Sequence, residues 1–343
     1  MKSRLIFILL FIGVFSSYSQ SNTDTYKIMF YNVENLFDTF NDSLINDEEF
    51  LPQGDRFWSS HKYYSKLKNI YKVIIAVGEW SPPAIIGLCE IENKRVINDL
   101  VNNTPLVKYE YKIVHQESPD RRGIDVALLY RTELFTPISY EAIPINFPDN
   151  PEYKTRDILY VKGIAKNTDT LNIFINHWPS RWGGQLESEE RRVFVAGVLK
   201  SKVDSIFTSN PKSNIIITGD FNDYPENKSI SKVLDAKQNF DLINDESLYN
   251  LSSKYTNSNN LGTHKYQGEW GMLDQFIVSG NLLNIKNQMY TSLNDIYIYN
   301  PDFLLEPDKS FFGFTTKRTF IGFRYNGGFS DHLPTYLVLN FNK

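Results

Sequence analysis

The chain has 343 residues, 41% of them hydrophobic and 15% aromatic, which is enough apolar material for one large core and too much for a disordered chain. Its formal net charge is −4, from 36 basic and 40 acidic residues, which excludes a protein that holds nucleic acid by bulk charge alone. The single cysteine, Cys89, excludes an intrachain disulfide, and within the apolar run from Ala84 it reads as packing rather than chemistry.

The first twenty residues form a separate segment. Lys2 and Arg4 make a basic start, Leu5 to Phe15 is a short apolar run, and Ser16 to Gln20 is small and polar. That layout predicts a secretory signal peptide over 1–20, cleaved near Ser19 to Ser21, and hence an extracellular or periplasmic protein. The apolar run is too short for a membrane anchor, which needs about 20 residues, and no cysteine near the cleavage point suggests a lipoprotein.

After the leader, strand-like and helix-like runs alternate. Tyr26 to Asn32 reads as a strand. Lys62 to Gly78 reads as a helix, with Leu67, Ile70, Tyr71, Ile74 and Val77 on one face and Gly78 as its stop. Residues 40–60 read as a long loop. Ala84 to Glu90 reads as a buried strand, with Glu110 to His115 and Ile124 to Tyr130 as neighbours. Asp157 to Lys166 and Leu171 to Trp178 read as a hairpin. Glu187 to Phe207 reads as a long helix whose inner stripe is Val195, Val198, Leu199, Val203 and Ile206. Asn214 to Asp220 reads as a buried β-branched strand, and 244–260 as a surface loop. Leu273 to Ser279, Asp295 to Tyr299 and Pro334 to Asn340 complete the strands. This mixture predicts a single-domain α/β sandwich without repeats or linkers.

Polar residues recur where apolar strands end, the place where open α/β folds put their sites. Asn32 and Glu34 follow the first strand; an Asn there is commonly a turn former. Glu90 ends an apolar strand, where an unpaired carboxylate is costly, so it needs a partner or a metal. Oxygen ligands of this kind suit Mg²⁺, Mn²⁺ or Ca²⁺. His177 closes another strand and is expected to be exposed at the following loop. Asp220 and Asn222 share a sharp exit from the strand Ile215 to Gly219. Asp274 sits inside the apolar run Met272 to Val278, which predicts a histidine partner; Ser330-Asp331-His332 supplies one. An Asp274–His332 pair would hold one imidazole tautomer and raise its basicity. With no Walker loop, nucleophile elbow or His-Glu-x-x-His motif in the chain, metal-assisted hydrolysis by water remains.

The order of seven blocks resembles the endonuclease/exonuclease/phosphatase family. They are Tyr31-Asn32-Val33-Glu34-Asn35, Leu88-Cys89-Glu90-Ile91-Glu92-Asn93, Gly123-Ile124-Asp125-Val126-Ala127, Asn176-His177-Trp178, Gly219-Asp220-Phe221-Asn222, Leu273-Asp274 and Ser330-Asp331-His332. Each is weak alone, and their shared order over about 26–340 carries the resemblance. It implies a four-layer α/β/β/α sandwich of two packed mixed sheets with outer helices, and one catalytic domain over 24–343. Asn32, Glu90 and Asp331 match positions around the metal ion, and Mg²⁺ is the expected cofactor. Asp220 and Asn222 match residues that orient the nucleophile or stabilise phosphoryl oxygens. His332, oriented by Asp274, matches the general base or phosphate-contacting cation, and His177 the leaving-group acid of pancreatic-type deoxyribonucleases. Arg156 resembles an arginine that contacts substrate phosphate, and Arg122 and Arg181 add charge at the mouth.

The resemblance implies a phosphodiesterase. The opening and Glu90 blocks look like those of secreted bacterial nucleases, so DNA or RNA is the leading substrate. A sphingomyelinase-like phospholipid phosphodiesterase is the alternative; its exposed apolar hairpin would be sought at Trp178, Trp182 and Phe311-Phe312. A third reading is an inactive binding protein on this fold, against which every expected catalytic position is filled. A monomer without a stable membrane anchor is the default.

Overall fold

A computed structural model describes residues 26–166, 168–256 and 261–342. The signal peptide expected over 1–20 lies outside the described residues. Three helices of eight or more residues and two large mixed sheets of seven strands each form the body among those residues.

The first sheet is built on β1 (Tyr26–Leu36). β1 pairs in parallel with β2 (Ile85–Ile91) and antiparallel with the strand Thr335–Phe341. β3 (Tyr111–His115) and β4 (Asp125–Arg131) extend the sheet beyond β2, and Met289–Tyr290 and Ile296–Ile298 lie beyond Thr335–Phe341. The second sheet runs through β5 (Phe135–Ile143), β6 (Ile158–Ala165), β7 (Asp169–His177) and β8 (Asn214–Asp220). It then continues through Asp274–Ser279, Leu248–Asn250 and Ala236–Lys237.

Burial follows the strand alternation and defines the four layers. Ile28, Phe30, Ile85, Cys89 and Leu128 of the first sheet pack with Val161, Ile173, Ile175, Ile216 and Phe276 of the second in one cluster. On the outer face of the first sheet, Met29, Tyr31, Ile86 and Leu88 meet α1 (Ser60–Gly78) and α2 (Lys94–Asn102) through Leu67, Ile70, Val73, Ile74, Val96 and Leu100. On the outer face of the second, Phe174, Ile215, Ile217 and Ile277 meet α3 (Gln185–Ser209) through Val195, Ala196, Leu199 and Val203.

The departures from sequence expectation have local causes. α1 ends at Gly78 as expected, with Glu79 at φ 56° leading to Pro82 and Pro83, but it starts two residues early, at Ser60 in place of Lys62. Its buried stripe takes Val73 in place of Tyr71, which stays half-buried. α3 buries Ala196 and Phe207, leaving Val198 and Ile206 half-buried. The polar segment 244–260 is not all loop: Leu248–Asn250 joins the second sheet by pairing with Asp274–Ser279. There Asn250 is buried because its side-chain amide donates to Gln275 Oε1 at 2.7 Å.

Topology brings the polar strand ends together. β1 and β2 run parallel, so Asn32 and Glu90 finish at the same edge. β7 and β8 also run parallel, with His177 opposite Asp220, and Asp220 lies opposite Asp274 in the antiparallel pair beyond. Thr335–Phe341 runs antiparallel to β1, so the residues just before it, Asp331 and His332, arrive at that edge too.

Candidate active site

The β1 and β2 exits are bent. Glu34, Asn35 and Glu90 have φ of 52°, 56° and 61°, a region uncommon for residues with a side chain and often kept for function. In both strands the register shifts there, so each exit is a bulge that re-aims side chains. The Glu90 carboxylate accepts the Asn35 backbone N–H at 3.0 Å, and the Asn32 side-chain oxygen accepts that of Glu34 at 3.0 Å. Ser330 donates its hydroxyl to the Asn32 carbonyl at 2.7 Å and accepts the His332 N–H at 3.1 Å, which ties the last loop to the first strand.

Asp220 is the centre. Its Oδ2 accepts the Asn32 side-chain amide at 3.1 Å and its Oδ1 accepts the Asn222 N–H at 2.9 Å. The same Oδ2 lies 3.8 Å from Nε2 of His177 and 3.8 Å from Nε2 of His332. His332 Nδ1 is 2.7 Å from Asp274 Oδ2, the pairing the two motifs predicted. His177 Nε2 also lies 3.9 Å from Glu90 Oε1. Asn222, at φ 51°, donates its amide to the Trp178 carbonyl at 3.1 Å.

Burial sets the electrostatics. It raises the Glu90 carboxyl, helped by the nearby Asp331 carboxylate, and it raises Asp220 against the pull of the His332 cation. It drives His177 well below the usual imidazole range, reinforced by the Arg156 charge. Burial opposes the His332 cation as well, but Asp274 and Asp220 outweigh it and hold that imidazole well above its usual range. Burial opposes ionisation of Asp331 too, and there Arg318 and His332 outweigh it and lower the carboxyl. Within the cluster around Asp220, the buried atoms His177 Nδ1 and Asp274 Oδ1 have no hydrogen-bond partner.

The expected residues divide into those that converge and those that do something else. Asn32, Glu90, His177, Asp220, Asn222, Asp274, Asp331 and His332 meet at one end of the sandwich. His177 is buried, contrary to the exposed placement expected at its loop, because it is the last residue of β7 and still pairs with Asp220 of β8. Arg156 does not present its guanidinium as a phosphate contact. It is buried and bonds the carbonyls of His177 and Trp178 at 3.2 and 2.6 Å and Asp120 Oδ2 at 3.0 Å. Arg181 is likewise occupied, donating to the Asn222 carbonyl at 2.7 Å and stacking on Tyr224 at 4.2 Å. Arg122 is half-exposed, 3.7 Å from Asp120, and close enough to Glu90 and His177 to shift both.

Three residues escaped sequence reading: Arg318, Lys66 and His264, which gather around Glu34 and His332. Arg318 bonds Glu34 Oε1 at 3.0 Å and Asp331 Oδ2 at 2.8 Å. Glu34 is buried, accepts the Thr319 N–H at 2.6 Å and lies 4.0 Å from the buried Lys66. Burial lowers Lys66 to about 8, against the pull of Glu34. His264 packs its ring 4.7 Å from that of His332 and pairs with it as an isolated β-bridge. Lys66 had a signal: it stands on the inner face of α1 beside Tyr63, Leu67 and Ile70. Arg318 and His264 lie in loop or hairpin sequence with no periodicity to mark them.

The endonuclease/exonuclease/phosphatase family model matches residues 27–341. The chain belongs to that family. Its members hydrolyse phosphoester bonds. No curated protein matches the chain in sequence. Among solved structures, a family member from Bacteroides thetaiotaomicron shares 14% identity at a TM-score of 0.55, covering 93% of this chain and 95% of that one. The human Nocturnin catalytic domain with bound sulfate shares 16% identity at 0.53, covering 93% and 95%. D. rerio TDP2 complexed with single-strand DNA product shares 14% at 0.53, covering 92% and 99%. At these identities the family's solved structures speak for the fold of this chain alone.

The donor set at the site fits a hard divalent cation. Glu90 and Asp331 are carboxylates that repel one another, Asn32 adds an amide oxygen, and oxygen ligands are what such ions take. The groups Asp220, Asp274, His332 and His264, Asp331, His332 each bring their ligand atoms within 4.8 Å of one another. No helix among the described residues is long and apolar enough to cross a membrane.

Proposed function

We propose that the chain is an exported, divalent-metal-dependent phosphodiesterase whose substrate is DNA or RNA. The observation that carries this reading is the convergence on Asp220: two imidazoles at 3.8 Å, and Asn32 at 3.1 Å, in one buried cluster beside Glu90 and Asp331. The basic, apolar, then polar order of residues 1–20 supports export. D. rerio TDP2 in complex with a single-strand DNA product supports the substrate class by analogy of fold.

Asn32, Glu90 and Asp331 would hold the cation, Mg²⁺ in the first instance. Bound there, it supplies positive charge to the phosphoryl oxygens. The protein's own groups divide the remaining work. His332, kept protonated by Asp274 and Asp220, donates to the oxygens on which charge develops. Asp220 is the acceptor for the proton of the attacking water, since burial has raised its basicity and it holds a central place. The Asn222 amide is held by the Trp178 carbonyl at the rim. His177 is held neutral by burial and by Arg156, so a leaving-group-acid role requires it to gain a proton on substrate binding. Of the two roles the family resemblance implies for His332, the cation is the one its neighbours favour.

The test is turnover of the mature protein on plasmid DNA, RNA and sphingomyelin, first with Mg²⁺ and then with EDTA. Cleavage of nucleic acid that stops with EDTA and returns with Mg²⁺ is the expected result. Turnover of sphingomyelin alone would move the enzyme to phospholipids. Silence on all three would leave the fold as a binding scaffold.

A further inference from the structure

Two small hairpins stand beside the catalytic end and carry a row of bare rings. One pairs His264–Tyr266 with Glu269–Gly271, and the other pairs Leu305–Pro307 with Phe314–Thr316. Both are rooted in the site. His264 bridges to His332, and Thr316 donates its hydroxyl to the Asp331 carbonyl at 3.2 Å. Lys265 locks the two together: its ammonium bonds Asp308 Oδ2 at 2.8 Å and the Phe312 and Phe314 carbonyls at 3.0 Å each. Phe311 lies on the bare α-carbon of Gly268, where a Cβ would come within 3.0 Å of its ring.

This rigid base presents Tyr266, Phe311, Phe312 and Phe314 to solvent, with Phe312 fully exposed at the tip. Large exposed apolar groups in a cluster mark an interaction surface. The exposed set is made of planar rings without one aliphatic member. A ring, unlike an aliphatic side chain, offers a face on which a base can stack. Phe312 lies in the bend two residues before the strand Phe314–Thr316, so four residues of chain place it at most about 13 Å from Thr316, within reach of a nucleotide a short way from the cleaved bond.

We propose that this pair of hairpins is a stacking platform for unpaired bases, so that the enzyme takes single-stranded nucleic acid and holds the bases flanking its scissile phosphate on Phe312 and its neighbours. The proposal rests on the nucleic-acid reading of the site. Base–ring stacking is tolerant of sequence because every base has a π-face.

The experiment compares wild type with Phe312→Ala and Phe312→Trp. Oligonucleotide binding is read by fluorescence anisotropy in EDTA, where no turnover occurs, and kcat/KM is read on bis(p-nitrophenyl) phosphate, which is too small to reach the hairpin. Phe312→Ala should weaken single-stranded DNA or RNA binding by on the order of tenfold while leaving the small substrate unchanged. Phe312→Trp should keep the affinity and add a tryptophan emission that single strands quench and duplex does not. Unchanged oligonucleotide affinity in Phe312→Ala overturns the platform. So does a loss confined to phosphatidylcholine vesicles, which would make the hairpin a membrane wedge. Failure of the nucleic-acid reading is a separate result: wild type that cleaves no DNA or RNA.

Discussion

At one end of the sandwich Asp220, Asp274 and His332 crowd with Glu90 and Asp331; at the other, a cavity of about 580 Å³ is lined by Tyr160, Lys162, Lys202, Lys212 and buried amides. This hollow is chemically quiet. Tyr160 donates to Asn172, Asn172 to the Asn214 carbonyl, Asn281 to Asn214 and Asn287 to Asn281, all between 2.7 and 3.0 Å. The catalytic end has carboxylates raised by burial and by each other, and two buried atoms, His177 Nδ1 and Asp274 Oδ1, without partners. Unsatisfied and mutually repelling groups are costly unless a ligand completes them. Polar satisfaction therefore separates the two ends.

The sharpest break of this comparison is at His332. His332→Ala should lower kcat by on the order of 10² or more with the circular dichroism of the fold unchanged, and Asp274→Asn should follow it because the imidazole loses its orienting partner. Wild-type turnover in either variant would remove the pair from the mechanism.

Arg156 tests whether an arginine in the site region serves substrate or scaffold. Arg156→Ala strips a buried charge pair from Asp120 and should cost about 3 kcal/mol of stability in chemical denaturation. Unaltered stability with a raised KM would instead make it a phosphate contact.

At the quiet end, Asn281→Ala removes the donor to Asn214 Oδ1 and should cost about 1–3 kcal/mol with kcat untouched. A loss of activity there would contradict the division between the ends.

The smallest effect is a pH trend. Burial raises the Glu92 carboxyl to about 8, although it accepts the Asp38 N–H at 2.7 Å. A carboxyl raised in the folded state contributes stability that is complete below its unfolded pKa of about 4.5 and is lost as pH rises through about 8. Glu92→Gln cannot ionise and keeps an oxygen for Asp38. The fall in Tm from pH 5 to pH 8.5 should therefore be smaller in the variant. Parallel curves would show that Glu92 is already satisfied as a carboxylate.

Much of the site was legible because its residues break local patterns. Asp274 interrupts an apolar strand, and Glu90 and Asp220 end apolar strands, so each advertises a partner. Arg156 misled because an arginine beside a site block looks the same whether it faces substrate or bonds backbone carbonyls. Arg318 and His264 gave no sign, since loop residues have no period from which to deviate.

By itself the sequence determined the alternating strands, the helical faces and the kinds of polar side chain at their ends, because periods of two and 3.6 are properties of a short stretch of backbone. Only the tertiary structure decided which ends meet, as when Asn32 bonds Asp220 from 188 positions away. It also decided which histidine is raised by neighbouring carboxylates and which is lowered by burial, which arginine is spent inside the protein and which rings stand bare. Those outcomes depend on register, on burial and on the distance to a neighbouring charge, and each is set by segments far apart in the chain.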